Sequence, residues 1–113
     1  MITKSKFKVP IYEYTVEVEL FDDIKEVREK YPEYFESSTL GCTLEYPSAK
    51  CTVIVPVNNI SVIIHELEHV KNLIWKHIGY NSQNDNDEPD AYILGYLTER
   101  IEKFIKKHLQ NAK

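Results

Sequence analysis

The chain has little that would carry it into or across a membrane. No apolar run approaches the roughly 20 residues needed to span a bilayer. The first residues, Met1-Ile2-Thr3-Lys4-Ser5-Lys6, lack the apolar segment of a secretory signal. These absences argue against a membrane partner and predict a protein made and kept in the cytoplasm. Cysteine is scarce as well, with only Cys42 and Cys51 present. In a reducing compartment such a pair is expected as free thiols on a hairpin rather than as a disulfide. Positive charge is in deficit: Lys and Arg number 14 against 18 Asp and Glu, for a net charge of −4. That balance argues against nucleic acid as the main partner, because phosphate binding needs a positive field. The local basic run Lys103, Lys106, Lys107 reads as a solvated helix face. Repeats and linkers are missing, and the one low-complexity tract is the polar stretch Asn81-Ser82-Gln83-Asn84-Asp85-Asn86-Asp87.

What remains is ordinary for a globular chain, 42% hydrophobic and 28% charged over 113 residues, which predicts one domain with a modest core. Residues 12 to 20 alternate, with Tyr12, Tyr14, Val16, Val18 and Leu20 on one side and Glu13, Thr15, Glu17 and Glu19 on the other. That period of two predicts a strand with one wet face. A short helix over 22 to 30 follows, capped by Asp22 and stopped by Pro32. Two β-rich runs, 39 to 46 and 50 to 57, flank Pro47-Ser48 and read as a hairpin, with Pro56 at a sheet edge. Residues 59 to 78 predict a helix with Asn59 as cap and Gly79 as stop. A last helix is expected from 88 to 109, with Asp87 as cap and Pro89 in the first turn. The order predicts an α+β domain, a small and mostly antiparallel three-stranded sheet packed against two principal helices.

Chemistry concentrates at His65-Glu66-Leu67-Glu68-His69. Two histidines four apart on a helix stand one turn above each other, so their imidazoles can converge on one zinc ion. Glu66 follows the first histidine and lies beside the metal position rather than on it, within reach of a proton on a metal-activated water. At 100° per residue, Ile63, Leu67, Val70, Ile74 and Ile78 form one face, while His65, His69, Asn72 and Lys76 gather opposite. Histidines belonging to the core would fall among the isoleucines. The competing reading is two solvent-facing histidines on an amphipathic helix.

A catalytic zinc takes three protein ligands and keeps one position for water. Glu88 is the best-placed third ligand, at the start of the next helix, with Asp85, Asp87 and Asp90 as competitors. Ala91 and Gly95 follow it at i+3 and i+7, where small residues would let the two helices approach closely. Ile93, Leu94, Leu97, Ile101, Phe104 and Ile105 form a separate apolar stripe. Tyr92, one turn after Glu88, is a candidate to steady a developing oxyanion, to orient a ligand, or simply to pack at an interface. His77 is too far along the helix to be a ligand, and His108 reads as a helix-terminal residue.

The segment His65-Glu66-Leu67-Glu68-His69, followed by Glu88-Pro89-Asp90-Ala91-Tyr92-Ile93-Leu94-Gly95, resembles the zincin metallopeptidases. More narrowly it resembles gluzincins, in which a downstream helix supplies a glutamate ligand, and small proteins of bacteriophages and bacteria carrying a Glu-x-x-Ala-Tyr-x-x-Gly helix. The resemblance covers about residues 60 to 97. It implies a minimal zincin-like fold, a Zn2+ cofactor held by His65, His69 and Glu88, and Glu66 as general base and acid. It also implies a peptide or protein substrate held along a sheet edge by strand addition. The chain departs from metzincins at Asn72 and Trp75, where that pattern has glycine and histidine. Two rival expectations stand beside a peptidase: a non-catalytic zinc-binding accessory module, and a metal-free interaction domain.

Overall fold

Residues 1–81 and 87–111 are described by a computed structural model of the chain. Its first element was not anticipated. In β1 (Ile2–Val9), Thr3, Ser5, Phe7 and Val9 alternate with Lys4, Lys6 and Lys8. Phe7 and Val9 are buried and the three lysines are exposed. β1 pairs antiparallel with β2 (Tyr14–Phe21), where Tyr14, Val16, Val18 and Leu20 turn inward as their alternation requires. On the reverse face Glu19 is also buried, because the Tyr31 hydroxyl donates to it at 2.7 Å and Lys30 stands 3.4 Å away.

α1 (Ile24–Lys30) is capped by Asp23, which accepts from the Lys25 N–H at 2.9 Å. The expected cap, Asp22, is one residue early and is engaged elsewhere, with His108. The hairpin forms as β3 (Cys42–Tyr46) and β4 (Lys50–Pro56), turning through Ala49 at φ 56°. β4 then lies parallel to β2, with Val18 opposite Val53. The sheet is therefore four-stranded and mixed, in the order β1-β2-β4-β3, rather than three-stranded and mostly antiparallel. β4 is interior, so Pro56 ends a strand and does not sit on an edge.

An interior strand covered on both faces should be apolar throughout. Cys51, Val53 and Val55 enter the main core with α2 (Ile60–Ile78) and α3 (Glu88–Asn111). Ile54 enters a smaller core on the other face with Phe21, Val27 and Phe35. Both long helices thus cover one face and α1 the other, an α+β arrangement. Asn59 caps α2 by accepting from the Val62 N–H at 3.3 Å, and Gly79 ends it at φ 74°, a left-handed setting that suits glycine. Ile63, Leu67, Val70 and Ile74 are buried as the helical period predicts, whereas Ile78, the last residue of the helix, is exposed. Along α3, Ile93, Leu97 and Ile101 are buried, with Leu94, Phe104 and Ile105 packed beside them. No helix among the described residues is long and apolar enough to cross a membrane.

Candidate functional site

The core face of α2 fixes where its other residues point. His65 and His69 are exposed, and their ring centroids lie 4.9 Å apart with the planes at 81°. Glu66 is 100° further round the helix and turns toward β3, where it is only 7% exposed. A carboxylate so buried must be hydrogen-bonded or lose its charge. The Thr43 hydroxyl supplies the bond, donating to Glu66 Oε1 at 2.7 Å, while Oε2 lies 3.9 Å from His65 Nε2. One oxygen of Glu66 is thus held by the edge strand and the other faces the first histidine.

Gly41 makes this approach possible. A Cβ at that position would stand 2.6 Å from Val62 Cγ1 and 3.1 Å from Glu66 Cγ, so any side chain there would push on the residue that carries the charge. Two adjoining cavities of about 370 and 440 Å³ open along this seam between β3 and α2. The first reaches His65, the second His69, and Gly41 and Glu66 line both. The second also reaches Cys42, whose thiol is raised above its ordinary pKa by burial and then by the charge of Glu66. Cys51 is buried and pushed up to about 12, chiefly by desolvation. Both cysteines are free thiols, in register with Ile54 and Glu45 respectively rather than with each other.

The downstream residues lie along the first turns of α3. Asp87 occupies the cap position of α3, its carbonyl accepting from the Ala91 N–H at 3.1 Å. Asp90 turns onto α2, where its Oδ1 accepts from the Trp75 indole at 2.5 Å. Glu88 and Ala91 are exposed, and Tyr92 is 76% exposed. Gly95 is exposed too, and a Cβ there would meet nothing within 4 Å, so Ala91 and Gly95 do not mediate a close helix approach. The reason is rotational: Asp90 lies at i−3 from Ile93 and i−7 from Leu97, on the buried stripe, and Glu88 lies about 200° away from it. Asp85 lies outside the described residues. His77 packs against Tyr14, with centroids 5.5 Å apart, away from the pair.

A zinc site asks for a convergent donor set. The two imidazoles and the adjacent buried carboxylate fit the first two ligands and the neighbouring base. Among the described residues no three His, Cys, Asp or Glu groups are gathered so as to hold a metal ion. The structure brings together His65, His69 and Glu66, while Glu88 and Tyr92 are exposed on the first turns of α3. Thr43 and Gly41 escaped the sequence reading. Their signal was slight: a hydroxyl in an otherwise half-buried strand, and one of only three glycines directly before it. No protein-family model, curated protein or solved structure matches the chain.

Proposed function

We propose that the chain is a zinc-dependent peptide-bond hydrolase with a minimal zincin-like fold. The observation that carries this reading is the buried Glu66 carboxylate, held at one oxygen by Thr43 and lying 3.9 Å through the other from an exposed His65–His69 pair. A carboxylate with no chemical task seldom stays buried on a single hydroxyl beside two open imidazoles. In this proposal His65, His69 and Glu88 hold the ion, and Tyr92 is a candidate donor to the oxygen of a tetrahedral species. Zinc, when bound, activates a water and polarises the carbonyl under attack. Glu66 Oε2 takes the water's proton and later delivers it to the leaving amine, while Oε1 stays on the Thr43 hydroxyl and fixes the carboxylate's direction. The edge strand β3 runs beside α2 and offers an unpaired ladder to an extended peptide, with the two cavities ready for side chains.

The test begins with metal analysis of protein purified without added zinc, followed by cleavage of a peptide library. Glu66→Gln should retain the metal and lose turnover by at least about 1,000-fold. Equal turnover in a clean Glu66→Gln preparation removes this mechanism. Metal retained with no cleavage by either protein favours the non-catalytic zinc module, and no metal at all favours the interaction domain.

A further inference from the structure

The sheet has two edges. β3 borders the seam of the histidine pair, and β1 is the other. β1 runs for eight residues in unbroken antiparallel register with β2, from Ile2 opposite Phe21 to Val9 opposite Tyr14. Among the described residues no strand pairs with its outer side, so a row of backbone N–H and C=O groups stands open there. Natural edges are commonly closed by shortness, a bulge or a proline. β1 is long, regular and free of proline, and its one guard is the row Lys4, Lys6 and Lys8, exposed on the face away from the main core.

The charges on that face are unequally matched. Lys8 pairs with Glu13 at 2.8 Å. Glu19, opposite Lys4 in register, is taken by Tyr31 and Lys30, and Glu17, opposite Lys6, is taken by Lys50 at 2.9 Å. Among the described residues Lys4 and Lys6 form no ion pair. Cavities of about 300 and 290 Å³ meet the strand from its two sides and share Lys4 and Ser5. The first lies on the lysine face, and the second lies between β1 and the end of α3, against Thr3, Phe104 and Lys107. Positive charge continues on that second side, where the Arg100 guanidinium stacks 5.0 Å from the Phe7 ring centroid and 5.6 Å from that of Phe104. A chain of net charge −4 thus gathers unanswered cations along one strand edge.

We propose that β1 is a docking edge for an extended acidic segment of another protein, which adds a strand to the sheet and sets carboxylates against Lys4 and Lys6. Main-chain hydrogen bonds supply the binding common to any strand, and the lysines select the sequence. Alternate residues of a strand share a face. Carboxylates two positions apart therefore meet Lys4 and Lys6 together, while the side chains between them turn toward the groove beside Phe104 and Lys107. A second copy of this chain fits poorly. Antiparallel pairing of β1 with β1 sets one lysine row beside the other on the same face, which is repulsive. β3 of a second copy brings Glu45 as its one acidic residue, and such head-to-tail pairing does not close.

The probe is a labelled eight-residue peptide alternating glutamate and threonine, read by fluorescence anisotropy against the full chain, with amide hydrogen exchange locating the contact. It should bind, and exchange protection should rise along Ile2–Val9 but not along Cys42–Tyr46. Joint reversal, Lys4→Glu with Lys6→Glu, should weaken binding at least about tenfold and transfer the preference to a peptide alternating lysine and threonine. Reversal sets like charges opposite Glu19 and Glu17. Should that variant melt early, Lys4→Gln with Lys6→Gln reads the same loss at about threefold. Methylating the peptide's glutamate amides, or instead its threonine amides, should abolish binding in one case and spare it in the other, because alternate residues of a strand face the ladder. Equal effects of the two methylations overturn strand addition. No binding at about 1 mM peptide, protection along Cys42–Tyr46 instead, or affinity undiminished by the lysine variants overturns the proposal. So does an oligothymidine that binds more tightly than the peptide and is lost on the same reversal, which would make the edge a nucleic-acid surface. Self-association through β1 in sedimentation would give the edge to a second copy and overturn the proposal too.

Discussion

Two histidine environments in this protein differ in almost every physical respect. His108 is 1% exposed, and both ring nitrogens are engaged: Nδ1 lies 2.7 Å from the Thr3 hydroxyl and Nε2 lies 2.9 Å from Asp22 Oδ1. It ties the last turns of α3 to β1 and to the end of β2. A ring with both nitrogens bonded and no exposed edge has nothing left to offer a ligand. His65 and His69 are the reverse, open to solvent and edge-on to each other. The polar atom buried beside them belongs to a different residue, Glu66, and its hydrogen bond leaves the other oxygen 3.9 Å from His65 Nε2. Burial with full bonding marks a structural histidine. Exposure next to a buried charge marks one available for chemistry.

Exchanging the two kinds of loss is the strongest way to break that contrast. His108→Ala leaves the Thr3 hydroxyl without its partner and opens a cavity, which should cost about 3 kcal/mol and lower Tm by about 10 °C. Zinc binding by the folded fraction should be unchanged. His69→Ala should do the opposite, weakening zinc binding by at least about 100-fold with Tm of the metal-free protein within about 2 °C of wild type. Thermal melts paired with metal competition measure both. Comparable melting losses from the two variants would erase the distinction.

A second contrast sets the tight seam at β3 against the outer face of α3. Gly41→Ala forces a methyl group against Val62 and Glu66 and should destabilise by about 1–3 kcal/mol. Gly95→Ala adds a methyl group in open space on a helix and should stabilise by about 0.5–1 kcal/mol. Denaturant midpoints read both signs. A destabilising Gly95→Ala would mean that something packs on the face carrying Glu88, Ala91 and Tyr92, and would sharpen the search for it.

The sequence was most legible where one periodicity governs a whole element. α2 follows from its 3.6-residue pattern between Asn59 and Gly79, and β2 from strict alternation. β1 was missed because Thr3 and Ser5 stand where its inward face would show apolar residues, so only Phe7 and Val9 carry the signal. The parallel pairing of β2 with β4 is a long-range choice that neither strand announces by itself. The histidine pair was legible because it depends on one helix alone. The docking of Asp90 on Trp75 was not, because it depends on how α3 rolls against α2 and the sheet. A clue was present nonetheless: extended toward the N-terminus, the stripe Leu97, Ile93 reaches Asp90 and passes Glu88 by. Thr43 could be chosen only once β3 was known to lie against α2, since nothing within a five-residue strand says which hydroxyl will meet a carboxylate.

The smallest effect tests the ionic part of the His108 corner. Hydrogen bonding to His108, more than its nearby N-terminal amine, holds the Asp22 carboxyl below its ordinary value of 3.8. A carboxyl whose folded value is depressed binds its proton more readily in the unfolded chain. Its contribution is therefore present above pH 3.8 and is lost as pH falls from there through the lower folded value. The Asp22 side chain is 41% exposed, so solvent screening should keep the contribution under about 1 kcal/mol. Asp22→Asn should accordingly melt slightly below wild type at about pH 6, with the gap closing in acid as the wild-type carboxyl takes up its proton. The amide retains an oxygen that can accept from Nε2, so the difference reads charge more than geometry. A gap that stays constant through the acid range would mean that Asp22 holds His108 by shape and hydrogen bonding alone. The contrast with the Glu66 site would then rest on burial rather than on charge.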